Sequence, residues 1–317
     1  MQRWFILRGH VLKEPEPVAV LQAILPVFLL IVLGYVLGKR KTLTVESTKA
    51  LSVLAFKLFL PMVLFTGMVK APLHDGLDLQ VLAAYFVPAL IVFVLINLVM
   101  HRSGSTSTPF GLTASFSNNI LIGIPLVVGV FGDQGLVLLF TVIAVHSLTL
   151  FTFQSLYDSL AGDQPFNTRS LFASLANPLI IGLLLGIVVN LSGLALPEWA
   201  DHLTTWLAQA ALPCALIVLG SNLSSFKLTP SPQALGITVG KLFLMPLLVL
   251  LACMLLGIEG LSRGVLVLMA AGPAGVNVLG FARSVPHVQK TSSAICLTTV
   301  LSAATLPLWM WLVSLIG

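Results

Sequence analysis

The sequence predicts an all-α membrane protein of ten transmembrane helices, arranged as two inverted five-helix repeats with helices four and nine broken. Three observations predict it. Of 317 residues, 57% are hydrophobic and 9% charged, against roughly 25% charged in a soluble domain, and mean hydropathy is +1.04. Ten apolar runs can be counted, each near the ~20 residues that cross the hydrocarbon layer. Two of those runs, far apart in the chain, carry glycine, proline and asparagine where a plain lipid-crossing helix has no use for them. The net charge of +5 is not a nucleic-acid signal, because the basic residues sit mostly in short loops beside apolar runs.

The first 17 residues, with Arg3, Arg8 and Lys13, form a tail to which no function is assigned. Val18–Gly38 is too long for the apolar core of a signal peptide and is closed by Lys39-Arg40-Lys41, so it is expected to be a retained first span. Spans two to five are expected at about 45–69, 77–100, 108–131 and 135–157, the fourth broken. A polar linker, 158–170, divides the chain. Spans six to ten follow at about 171–191, 199–223, 233–256, 261–283 and 291–315, the ninth broken. The expected organisation is therefore tail (1–17), first repeat (18–157), linker (158–170) and second repeat (171–317). Lys and Arg number nine in the loops of one face and five on the other. Cytoplasmic loops are the more basic, so both termini are expected outside an inner membrane, with the central loop in the cytoplasm.

The halves resemble each other. Pro61 lies 35 residues after Pro26, and Pro213 lies 35 after Pro178; both pairs are offset by 152, and Pro125 and Pro273 by 148. An odd number of spans per repeat makes the second copy enter from the opposite face, which gives an inverted repeat.

The first interrupted stretch is Ser117-Asn118-Asn119-Ile120-Leu121-Ile122-Gly123-Ile124-Pro125, and the second is Ala271-Gly272-Pro273-Ala274-Gly275-Val276-Asn277. Proline lacks an N–H and clashes with the preceding turn, so the first helix is expected to break near Gly123–Pro125. Non-helical backbone at membrane depth is tolerated only where it is buried in protein or lines a polar cavity, and paired interruptions in two halves point to a transport site. The candidate substrate-binding residues are accordingly Asn118, Asn119, Gly123, Pro125, Gly272, Pro273, Ala274, Gly275 and Asn277. Ser115, Ser117 and Gln154 are candidates to line the path.

All eleven acidic residues fall in loops or at span ends, whereas Lys57, Lys241 and His146 lie near the middles of spans two, eight and five. Charges at that depth are costly and tend to face the bundle interior. Lys241 and Lys57 join the candidate binding residues as counter-charges to an anion, and His146 and Lys241 are candidate proton carriers. Bland readings stand beside these. Lys57 could snorkel or reach a backbone carbonyl, Lys241 could sit nearer an interface or among backbone carbonyls, His146 could be a satisfied core histidine, and the asparagines could simply join helices by hydrogen bonds. The three cysteines, Cys214, Cys253 and Cys296, have no metal-ligand spacing and read as small core residues. No metal, cofactor or catalytic residue is expected, and no nucleotide-binding or nucleophile motif occurs. Transport would then be passive or ion-coupled.

Asn118-Asn119-Ile120-Leu121-Ile122-Gly123-Ile124-Pro125-Leu126, followed by Phe131-Gly132, resembles the fourth-span signature of the auxin efflux carrier family. So does Pro26 with Gly34-Tyr35-Val36-Leu37-Gly38 and Leu60-Pro61. The resemblance covers essentially all of the chain after the tail. It implies ten spans in two inverted repeats, spans four and nine crossing at Pro125 and Pro273, and an elevator-like movement of one bundle against a scaffold. It also implies small carboxylates such as malonate or malate as cargo. The expected function is thus a secondary carrier of small organic anions, embedded in membrane lipid, with a homodimer as the assembly to consider. Two alternatives stand: a sodium- or proton-coupled symporter of bile-acid-like substrates, and a non-transporting sensor on a carrier scaffold.

Overall fold

A computed structural model describes residues 17–71, 79–100, 107–161, 177–226, 228–229 and 231–316. The expected tail before residue 17, most of the expected linker and the first residues of the expected spans three and six lie outside them. The described chain is helical throughout. Seven of its helices are long and apolar enough to cross a membrane, and three shorter apolar helices accompany them. This is an integral membrane protein.

Helix α1 is Pro17–Lys39. Helices α2 (Val45–Leu54) and α3 (Leu60–Lys70) continue through a π turn at Ala55–Phe59 as one crossing. Helix α4 is Leu79–Met100. The short α5 (Phe110–Ser115) is followed by an interruption, a π turn at Asn119–Gly123 and α6 (Ile124–Leu160). Within α6 the chain turns at Gly132, whose φ of 64° and ψ of −161° belong to glycine's territory. Helix α7 is Pro178–Ser192 and α8 is Glu198–Ser225. Helices α9 (Pro232–Val239) and α10 (Met245–Leu255) are joined by a π turn at Gly240–Leu244. Helix α11 (Gly260–Ala271) stops at the second interruption, a 3₁₀ turn at Val276–Phe281 follows, and α12 runs Val285–Ile316.

The three π turns have a common sequence cause. Each ends two residues before a proline: Pro61, Pro125 and Pro246. A proline inside a helix cannot donate to the carbonyl four residues back and crowds it. Widening the preceding turn accommodates that defect. At Pro246 the carbonyl deprived of its donor is that of Leu242, and Trp309 Nε1 donates to it at 2.8 Å.

The helices outside the two interrupted segments present leucine to the surroundings. Leu21, Leu25, Leu29 and Leu33 of α1, and Leu184, Val188 and Leu191 of α7, are exposed. The interrupted segments show the reverse pattern. Every residue from 107 to 119 and from 263 to 275 is buried. Helices wrapped on all sides in this way can carry irregular backbone that lipid would not tolerate.

Two close helix pairs join the halves of the chain. Helix α1 packs on α8, where a methyl group on Gly34 would lie 2.1 Å from the Ile217 carbonyl oxygen. Helix α3 packs on α7, where one on Gly186 would lie 2.6 Å from the Phe65 carbonyl oxygen. Gly186 is Gly34 shifted by 152 residues, and Ile217 is Phe65 shifted by the same amount. One contact is therefore the other with its partners exchanged. Small residues that let backbones meet are the usual means of helix association in lipid.

Gly34→Ala and Gly186→Ala should each destabilise the protein by about 1–3 kcal/mol, the usual cost of overpacking. Thermal unfolding in detergent measures this. Gly280→Ala, whose added methyl meets nothing within 4 Å, should leave the midpoint unchanged.

Candidate functional site

The two interruptions meet. Helix α5 closes at Phe116, whose N–H donates to the Leu112 carbonyl at 2.8 Å, and α11 closes at Gly272, whose N–H donates to Leu268 at 3.1 Å. Beyond these points both chains are extended: ψ is 108° at Phe116, 155° at Gly272 and 140° at Gly275. Asn118 N–H donates to the Pro273 carbonyl at 2.8 Å, and Gly275 N–H donates to the Phe116 carbonyl at 3.0 Å. Ser117 and Ala274 thus face each other as an isolated antiparallel pair. The Ala274 N–H, which points away from this pair, donates to Thr298 Oγ1 at 3.2 Å. Gly275 must be glycine because a methyl there would lie 2.7 Å from the Phe116 ring.

The first interruption lies upstream of its expected place. It falls at Phe116–Asn118, and Pro125 sits in the first turn of α6. The helical path has already resumed at Asn119, and the π turn there accommodates the N–H that Pro125 lacks. Pro125 therefore belongs to the restart and Pro273 to the break itself. The pairing relates Ser117 to Ala274, an offset of 157 residues, in place of the 148 that equated the two prolines.

Each chain resumes its helical path beside the pair. Asn118 caps the first restart: its Oδ1 accepts from Leu121 N–H at 3.3 Å, and its carbonyl accepts from Ile122 and Gly123 at 3.2 and 3.1 Å. Gly275 precedes the second restart at Val276. Both restarts border a small, partly enclosed cavity of about 50 Å³, lined by 118–121 on one side and 275–277 on another. The first turn of α7 reaches the same cavity through Asn177, whose Oδ1 caps Leu179 N–H at 3.0 Å. The first N–H groups of a helix have no partner within it, and helix starts carry partial positive charge. Two such starts and the 3₁₀ turn converge here.

His146, Phe56, Phe116 and Phe151 complete much of the wall. The His146 ring lies on Phe116 with centroids 4.3 Å apart, and Phe116 stacks on Phe151 at 5.0 Å. Behind the wall a fully buried Tyr85 on α4 collects the polar side chains. Its hydroxyl donates to Ser117 Oγ at 3.2 Å, accepts from Asn119 Nδ2 at 3.1 Å, and lies 3.5 Å from His146 Nε2.

Of the residues expected from the sequence, the structure brings Ser117, Asn118, Asn119, Gly275, Asn277 and His146 to the cavity wall. Asn277 is the most exposed of them. Gly272, Pro273 and Ala274 form the extended pairing behind the wall, and Gly123 and Pro125 belong to the restarting helix. Lys241 is fully buried, but its ammonium donates to the Ala270 carbonyl at 2.6 Å, at the end of α11. A cation there satisfies one of the orphan carbonyls of a helix C-terminus and suits its dipole. Lys57 is exposed and away from the cavity. Ala55, Leu60 and Leu64 hold the inner face of that crossing, which leaves Lys57 on the other. Gln154 and Ser115 stand elsewhere. Ser115 Oγ donates to the Gly111 carbonyl at 3.0 Å.

Among the described residues one carboxylate lies inside, against the expectation drawn from its place at a span end. Asp158 is 3% exposed, Arg283 Nη2 donates to its Oδ2 at 2.6 Å, and Gln154 Nε2 donates to its Oδ1 at 2.7 Å. Gln154 Nε2 also donates to the Thr108 carbonyl at 3.2 Å. This cluster ties the approach to the first interruption to the exit from the second. Tyr85 and Asn177 were not among the expected residues. The signal for Asn177 was its place before Pro178, as a helix cap.

The family described as "Membrane transport protein" matches residues 19–159 and 166–310. An "Uncharacterized transporter" of Methanothermobacter thermautotrophicus is 28% identical over 295 residues, which cover 91% of this chain and 96% of the relative. A "Putative malonate transporter" of Rhizobium meliloti is 26% identical, covering 92% and 94%. The "Uncharacterized transporter YfdV" of Escherichia coli K12 is 23% identical, covering 93% and 98%. With a match across both halves, the chain belongs to this membrane transport protein family, the auxin efflux carrier family that its fourth-span motif resembles.

Proposed function

We propose that this transporter is a secondary carrier of small organic anions, mono- or dicarboxylates such as malonate or malate. The observation that carries the reading is the convergence of two helix starts, at Asn119 and Pro178, and of the 3₁₀ turn that begins at Val276, on one small cavity. Preorganised N–H groups at a helix start are a ready anion site. Among the described residues no carboxylate lines that cavity, so a bound anion meets donors without a competing negative charge. A relative's name, "Putative malonate transporter", supports malonate as the first cargo to test.

The proposed movement is elevator-type alternating access. The body formed by α4–α6 and α9–α12 carries the two interruptions, and α1–α3, α7 and α8 serve as the scaffold. The reciprocal contacts of Gly34 and Gly186, and the Ser117–Ala274 pairing, support two inverted repeats that cross at the interruptions. The seven long and three shorter apolar helices support ten crossings. A cavity of about 50 Å³ is far below the roughly 300–1,000 Å³ of ordinary ligand pockets. The described arrangement is then a closed one, and cargo enters as the bodies separate. Both termini outside and the central loop in the cytoplasm remain part of this proposal, as does a homodimer.

Purified protein in liposomes preloaded with malonate should accumulate labelled malonate by counterflow, without ATP. Ligand-dependent binding with no counterflow would favour a sensor and overturn the carrier. Asn118→Ala removes the cap on Leu121 and one wall amide. It should raise the malonate Kd about five- to tenfold, in line with about 1 kcal/mol for a lost cap. Asn118→Ser keeps a capping oxygen and should recover thermal stability while affinity stays low. Lys241→Met leaves the Ala270 carbonyl without its ammonium. A hydrogen bond to a charged group contributes about 1.5–3 kcal/mol, so counterflow should fall at least about tenfold in protein that still elutes as a single folded species. Unchanged counterflow would leave Lys241 with packing alone.

A further inference from the structure

We propose that the cavity takes up a proton together with its anion, and that His146 is the group that binds it. This rests on the reading of the cavity as an anion site and goes beyond it by naming a second cargo.

The case begins with what borders the cavity. Among the described residues of its wall, His146 is the one titratable side chain; the rest are amides, hydroxyls, glycine and apolar groups. It is 3% exposed and sits on α6 inside the crossing. The groups facing it are few. Tyr85 approaches from α4, with its hydroxyl 3.5 Å from Nε2. Lys241 acts on it electrostatically from the π turn between α9 and α10. The segments that supply Phe116, Asn177 and residues 275–277 bring no charged side chain to the wall.

The Tyr85 hydroxyl spends its own proton on Ser117 Oγ. It is therefore an acceptor toward its other neighbours, and it already accepts from Asn119. A proton on His146 Nε2 finds an acceptor in the same oxygen. An imidazolium has a second N–H, on Nδ1, and that one is left for a carboxylate oxygen in the cavity. The proton comes from bulk solvent and stays on the imidazole while the anion is bound. No bond to the cargo forms.

Coupling follows from the charges. A proton on His146 adds positive charge beside Lys241, and an anion in the cavity offsets it. Each ligand therefore raises the affinity of the site for the other by the same factor, as linkage requires. A carrier that moves only when both are bound, or neither, is driven by the proton gradient as well as by the anion gradient. Among the described wall residues no carboxylate is present to take the proton in place of His146.

The test is calorimetric titration of malonate into the purified full-length protein, in buffers of differing ionisation enthalpy, from about pH 8 down to about pH 6. Wild type should take up close to one proton per malonate. Its Kd should fall with pH by up to about tenfold per unit, the limit for one linked proton. His146→Gln keeps a hydrogen-bond donor and cannot titrate. It should bind malonate with no proton uptake beyond that of malonate itself, and in liposomes its counterflow should lose acceleration by an inward-acid gradient. The proton count on wild type needs no variant, so a misfolded His146→Gln leaves the test intact. Malonate binding by wild type without proton uptake, or the same uptake in His146→Gln, overturns the inference and spares the anion site. If malonate, malate and acetate all fail to bind at every pH, the anion site falls and this inference with it.

Discussion

Two backbone hydrogen bonds in the middle of the molecule set the conditions for the rest: Asn118 N–H to Pro273, and Gly275 N–H to Phe116. In lipid each unpaired peptide group is charged its full desolvation cost, several kcal/mol. A helix avoids that cost by pairing its own groups. A helix that stops halfway cannot. Here two stopped helices satisfy each other, and the solution works only if both stop at the same depth and run antiparallel where they touch. The surrounding architecture then has to bury both completely, which it does for residues 107–119 and 263–275.

Support for that pairing comes from one polar side chain in each flanking helical crossing. Tyr85, from α4, holds Ser117 and Asn119 on the first interrupted segment. Lys241, from the turn between α9 and α10, holds Ala270 at the end of α11. The two are not chemically equivalent. A tyrosine hydroxyl brings no charge, whereas the ammonium leaves a positive interior among the described residues. Asp158, the buried carboxylate, is already matched by Arg283. The asymmetry matters, because a pairing with a charge on one side only treats an anion differently from a cation.

Much of this frame was legible in the sequence. Two polar, glycine- and proline-containing stretches inside apolar runs announce interrupted helices, and the 152-residue offset anticipates the exchange of partners between Gly34–Ile217 and Gly186–Phe65. The position of the first break was not. Proline breaks a helix in some settings and is absorbed by a widened turn in others, and nothing local to Pro125 separates the two cases. Nor could Lys57 and Lys241 be told apart. Both lie in π turns ahead of a proline, and only the packing of Ala55, Leu60 and Leu64 turns Lys57 outward. Tyr85 was illegible for another reason. A lone tyrosine in an apolar run reads as packing, and its link to Ser117 and Asn119 spans more than thirty residues of chain.

A site built from helix starts also has a consequence for the proposed carrier that a site built from lysines would not have. A transporter has to release what it binds, so its contacts must be favourable without being deep. A fixed ammonium facing a carboxylate in a dry cavity makes a pair that is expensive to separate, because breaking it leaves an uncompensated buried charge. Partial charges at the starts behind Asn118, Gly275 and Asn177 attract the same anion, yet leave no full charge stranded when it departs. Keeping Lys241 on the Ala270 carbonyl, behind the wall, places the ammonium near the cavity without pairing it with the cargo. On this view the distance of the lysine from the cavity is part of how the site works: it favours negative cargo without holding on to it.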